Sequence, residues 1–229
     1  MKKRLLCVLV AAALLLGILT SCGGSADESP GPEGSATLAA SNSPEPFSGP
    51  TGEVLDSGEA GENVTWSFYS DGTLVISGTG PMEDYELGYS IVDSIMGIEH
   101  RGDILKIVIE DGVTSIGISS FPSYRSLTDV IIPDSVTSIG NSAFPYCSSL
   151  TDVTIPDSVT SIGERAFEGC SSLTSVTIGN SVTSIGTMTF EGCSSLTDVY
   201  YGGSEGQWNQ ISVSSHNDEL FNATIHYNS

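Results

Sequence analysis

Apolar side chains recur through the second half of this chain in one frame, with a period of 23 residues. Isoleucine returns at Ile116, Ile139, Ile162 and Ile185, each followed by glycine at Gly117, Gly140, Gly163 and Gly186. Phe121, Phe144, Phe167 and Phe190 form a second column, and Leu127, Leu150, Leu173 and Leu196 a third. Uninterrupted self-similarity of this length predicts coils stacked into a solenoid. Within one unit, Leu150, Val153 and Ile155 are the inward residues of a short strand, and Pro156-Asp157-Ser158 ends it. Val159 and Ile162 return to the core, Gly163 permits a tight reversal, and Ala166 with Phe167 predicts a short helical turn. Complete units begin at Leu127, Leu150 and Leu173, with a degenerate one near Ile104 and a partial strand over 196–201. One unit buries too little apolar surface to offset the ordering of its own backbone, so stacking has to supply the neighbour contacts that close the deficit.

The pattern changes on either side of the array. Val64 to Tyr69 and Thr73 to Ser77 are rich in β-branched and aromatic residues and flank Ser70-Asp71-Gly72, which predicts a β-hairpin. Residues 78–103 carry Pro81, the acidic Glu83, Asp84 and Glu86, and a mildly apolar stretch from Tyr89 to Ile98, with no element assigned. After the array, Ser204-Glu205-Gly206-Gln207 has capping-box spacing ahead of Trp208 and Ile211, and Ala223 to Tyr227 reads as a final strand. Open ends of a solenoid need covers, so residues 53–103 are expected to cap the first coil and residues 202–229 the last, with Trp208 as a cap anchor.

The Leu-x-x-Val-x-Ile strand pattern resembles a leucine-rich repeat. Units with Ser-Val-Thr-Ser-Ile-Gly, Ala-Phe and Gly-Cys-Ser-Ser-Leu resemble more specifically the BspA-type leucine-rich repeats of bacterial and some protist surface proteins, over about residues 104–201. Asp71 to Gly80, and the tail from Val199 through Tyr227, resemble segments that flank such repeats. The resemblance implies a mainly β repeat solenoid, a short right-handed coil array between an N-terminal β-hairpin cap and a small C-terminal cap. It also implies attachment to matrix proteins or other cells, without carrying over a ligand or any binding residue.

The N-terminus adds export. Lys2, Lys3 and Arg4 precede an apolar run from Leu5 to Leu19 that is short for a membrane span and has the polarity of a secretory signal. The run ends in Leu19-Thr20-Ser21-Cys22, which resembles the lipobox of bacterial lipoproteins. Residues 1–21 are then a lipoprotein signal peptide and Cys22 a lipid anchor, since two or three acyl chains hold a protein on a bilayer durably. Residues 22–52, rich in Gly, Ser, Pro and acidic residues, cannot pack a core and read as a disordered tether with an end-to-end distance of roughly 30 Å. The expected location is extracytoplasmic and membrane-anchored. Asn63-Val64-Thr65 and Asn222-Ala223-Thr224 match the N-glycosylation pattern by chance in such a context.

Past Cys22 only Arg101, Lys106, Arg125 and Arg165 are basic, against 28 carboxylates, a net charge of −24. Such a surface repels nucleic acid and acidic headgroups, leaving the membrane to the lipid anchor and favouring a cationic partner. Cys147, Cys170 and Cys193 share a column with Tyr124, so the thiols read as buried space fillers rather than a zinc site or disulfides. His100, His216 and His226 lack ligand spacing and read as isolated surface histidines, and no cofactor is expected. No nucleophile elbow, phosphate loop or metalloprotease motif appears, so no catalysis is expected. The outward strand positions make ladders of hydroxyls and carboxylates. If a partner binds there, Asp129, Asp152, Asp198 and Tyr200 should contribute most, beside Thr154 and Thr177. The expected function is a monomeric adhesion or interaction module for an extracellular protein or glycan. A structural envelope spacer or scaffold, and an accessory lipoprotein of an envelope enzyme or transport system, are the alternatives.

Overall fold

The computed structural model describes residues 49–85 and 101–228. The hairpin read from the sequence is present as β2 (Val64–Tyr69) and β3 (Thr73–Gly78). Asp71 holds its turn, accepting backbone hydrogen bonds from Thr51 at 2.7 Å and Thr73 at 3.0 Å. A further strand, β1 (Val54–Gly61), pairs antiparallel with β2 through two register shifts.

The coils then follow. One row of strands comprises β5 (Lys106–Ile109), β7 (Asp129–Ile131), β9 (Asp152–Ile155), β11 (Ser175–Ile178) and β13 (Asp198–Tyr201). A second row of shorter strands comprises β4 (Gly80–Pro81), β6 (Val113–Ile116), β8 (Ser138–Ile139), β10 (Ser161–Ile162) and β12 (Ser184–Ile185). Most neighbours within each row pair in parallel at the 23-residue offset, as in Val176 with Val153 and Ile162 with Ile139, but the first row is broken between β7 and β9, and β4 meets β6 at a longer offset. The third side contains turns rather than the short helix expected around Ala166 and Phe167. Its backbone alternates into left-handed conformation at Ser142 (φ 52°) and Tyr146 (φ 59°), which aims the Ser142, Phe144 and Tyr146 amides at carbonyls of the next coil at 2.6–2.8 Å. A helix would spend those amides internally, so the demand for coil-to-coil bonds overrides the local helical preference.

Both covers are themselves modified coils. β3 pairs in parallel with β5 and β4 with β6, so the hairpin segment contributes a first rung to each row. The C-terminal segment contributes β14 (Ser212–Val213) and β15 (Thr224–Tyr227), which pair with β12 and β13. α1 (Glu205–Trp208) precedes β14, and α2 (Asp218–Asn222) stands between β14 and β15. The expected capping box is formed by Ser204 and Gln207 at the start of α1, and Trp208 is buried edge-on against Tyr201 at 5.3 Å. The inserted α1 breaks the register of the third side. Side chains substitute for the lost carbonyls: Asn217 Oδ1 accepts from the Phe190 amide at 3.0 Å and Glu219 Oε1 from the Gly192 amide at 2.8 Å.

The core is built of side-chain columns stacked from coil to coil. Phe121, Phe144, Phe167 and Phe190 lie ring over ring, with centroids 5.1, 5.5 and 5.6 Å apart. Cys147, Cys170 and Cys193 are buried free thiols, each donating to a phenylalanine carbonyl of the preceding coil at 3.2–3.4 Å. Tyr124 fills the same column one coil earlier, fully buried, as the space-filling reading requires. Burial pushes the Cys147 and Cys193 thiols well above the usual thiol range, which disfavours the reactive thiolate. Gly163 sits where the coils touch: a Cβ there would lie 2.6 Å from the Asn141 amide nitrogen and from the Gly140 carbonyl carbon.

Truncating Phe144 removes the middle of the ring column from a fully buried site. Phe144→Ala should lower unfolding free energy by about 3–5 kcal/mol. Denaturant unfolding checks this, and a loss below about 1 kcal/mol would mean that the column does not carry the stack.

Candidate functional site

Strand alternation sets the outward face of the first row. In β9, Val153 and Ile155 are buried while Asp152 and Thr154 face solvent, and stacking aligns Asp152 with Ser175 and Asp198, and Thr154 with Thr177 and Tyr200. Five of the six candidate binding residues therefore share one sheet. Asp129 lies on the neighbouring sheet, opposite Lys106, because the backbone ladder is interrupted between β7 and β9. The outward Ile131 is half-buried, and its partner Val108 in β5 is buried, so the polar face begins effectively at β9.

The threonines beside the aspartates do two things. Thr128, Thr174 and Thr197 direct hydroxyls to backbone carbonyls of the preceding coil at 3.0–3.3 Å, which ties the coils together. Thr151 and Thr197 also lie 3.0 and 2.8 Å from the Asp152 and Asp198 carboxylates, orienting them. The hydroxyl ladder expected from the sequence is thus partly an internal fastening.

The last coil adds a residue that sequence reading missed. His226 was expected to be an isolated surface histidine, but β15 places it next to β13. Its Nε2 lies 2.7 Å from Asp198 Oδ1, and its ring stacks on Tyr200 with centroids 4.7 Å apart and planes 14° from parallel. The alternation of Thr224-Ile225-His226-Tyr227 against Asp198-Val199-Tyr200-Tyr201 was the signal that could have paired them. The result is an exposed cluster of a carboxylate, an imidazole and a phenol at the C-terminal end of the sheet. Hydrogen bonds from His226 and then Thr197 hold the Asp198 carboxyl below the usual carboxylate range. Among the described residues, no group of three or more His, Cys, Asp and Glu side chains is placed to hold a metal ion.

Parallel coils closed by ring, thiol and glycine columns define a leucine-rich repeat solenoid. Residues 99–218 match the BspA type leucine rich repeat region in six copies, and the chain belongs to that family. Among solved structures it is similar to a leucine rich cell surface protein from Faecalibacterium prausnitzii, at 26% identity and a TM-score of 0.50, over 67% of this chain and 41% of that one. A leucine-rich repeat protein from Bacteroides ovatus shares the fold at 23% identity and a TM-score of 0.50, over 69% of this chain and 42% of that one. The chain thus spans less than half the length of either protein. None of the curated proteins matches it.

A depressed folded-state pKa means that the Asp198 contribution is present above the unfolded value and is lost as pH falls through the folded one. In a carboxylate NMR titration, Asp198 should titrate below the ordinary 3.8, and His226→Ala should move its midpoint most of the way back. An unchanged midpoint would show that the histidine contact is not formed in solution.

Proposed function

We propose that this chain is a lipid-anchored, extracytoplasmic recognition module that captures an extracellular protein or glycan, with basic partners favoured, on the sheet face bearing Asp152, Asp198, Thr154, Thr177 and Tyr200. The aligned carboxylates, ending in the Tyr200 and His226 stack, carry this reading. Aromatic rings beside oriented carboxylates suit a basic, partly apolar surface, and the excess negative charge of the mature chain steers such partners. Membership in the family and the likeness to a cell surface protein support display outside the cell. The reading assigns binding, and no catalysis, to this open sheet face. A spacer or scaffold is the second reading, favoured by the threonine hydroxyls that fasten one coil to the next.

Two measurements test the proposal. Asp152 and Asp198 replaced together by Ala should weaken capture of basic matrix and envelope proteins by about tenfold or more at low salt, with less difference at high salt. Equal capture by wild type and variant across those ligands would favour the spacer. Separately, Cys22→Ala should abolish palmitate labelling and move the exported protein from the membrane to the soluble fraction. Retention of label and membrane association would remove the anchor.

A further inference from the structure

The repeat offers an internal control, because equivalent positions in successive coils need the same backbone. Two columns on the third side are left-handed in every coil. One comprises Ser119, Ser142, Arg165 and Met188, with φ of 52–59°, and the other Ser123, Tyr146, Gly169 and Gly192, with φ of 59–74°. Glycine meets this conformation without strain, and a bulky side chain does not. Yet Tyr146, Arg165 and Met188 stand there, and the hydrogen bonds and ion pairs below join Tyr146 to Met188 through Glu168 and Arg165.

The Tyr146 ring crosses onto the next coil. A Cβ added to Gly169 would meet ring atoms of Tyr146 at 2.4 and 2.8 Å, so the phenol lies closely over that glycine, while the residue remains 48% exposed. Its hydroxyl donates to Glu168 Oε1 at 2.7 Å. Glu168 Oε2 lies 3.6 Å from Arg165 Nε, and Arg165 Nη2 rests 3.3 Å from the Met188 sulfur. The ring therefore has one face on the coil and an exposed side, with a carboxylate and a guanidinium at its rim. Strain retained at three bulky residues that converge on one patch points to a use for their side chains.

We propose that Tyr146, Glu168 and Arg165 form a glycan-binding subsite in which a neutral pyranose ring stacks on Tyr146 and its hydroxyls bond to Glu168 and Arg165. Sugar hydroxyls both donate and accept, and the rim supplies an acceptor and a donor side by side. A cationic side chain would need acceptors alone and would be opposed by Arg165. Coils advance by roughly 5 Å, close to the length of one sugar residue in an extended chain, so a linear glycan could lie across several. The subsite is on a different side of the coil from the sheet face and stands independently of the reading given there.

The test uses the full mature chain with cellohexaose and chitohexaose in isothermal titration calorimetry, alongside thermal unfolding. Wild type should bind at least one of the two oligosaccharides. Tyr146→Gly should weaken that binding by about tenfold or more, while Tm stays the same or rises by ~2–4 °C as the strain is relieved. Tyr146→Phe should keep most of the affinity. The proposal is overturned if neither oligosaccharide binds, if Tyr146→Gly binds equally well, or if its Tm falls, which would make the ring a structural clamp. Tyr146-dependent binding of hexalysine in place of sugar would overturn it in favour of a cation site.

Discussion

Each coil of this protein presents backbone amides and carbonyls along the solenoid axis that cannot be satisfied within the coil. Bonding them to the next coil is the constraint from which the rest follows. It sets the 23-residue spacing, because a single inserted residue would turn the inward columns outward and break the ladders on all three sides. It replaces a helix by left-handed turns around Phe144 and Phe167. It also explains the ends, where each cover acts as a partner coil: β3 and β4 supply backbone at one end, while β14, β15, Asn217 and Glu219 supply acceptors at the other.

Stacking in register leaves little freedom inside. Phenylalanine meets phenylalanine, thiol meets carbonyl, and Gly163 lies so close to the preceding backbone that a side chain has no room. Threonines on the outer edge fasten neighbouring coils. Near-identity of the units is therefore a packing requirement, and it says little about what the protein does. Function in such an array is sought in the departures from the repeat. Tyr200 stands where the two preceding coils have threonine, and Tyr146 where the two following coils have glycine. Both side chains reach solvent.

The acidic surface works with this division. Carboxylates on the outer faces, such as Asp152, Asp157 and Glu164, repel other acidic surfaces. The apolar columns are hidden, so charge is what approaching molecules meet first.

Period, inward columns, hairpin, capping box and final strand were legible in the sequence, because each depends on local alternation or on chemistry within a few residues. The columns Ile116 to Ile185 and Phe121 to Phe190 even specify which side chains touch, since a constant spacing converts sequence distance into a contact between neighbouring coils. Three things needed the tertiary structure. The short helix at Ala166 became a turn because its amides are required by another coil. His226 joined Asp198 and Tyr200 because an insertion of irregular length set where the last strand would lie. The Asp129 carboxylate fell on a separate sheet from Asp152, although the sequence places both on the same column. The turn and the sheet boundary depend on which backbone bonds form between coils, and the place of His226 on the insertion before the last strand, so only the folded chain could determine them.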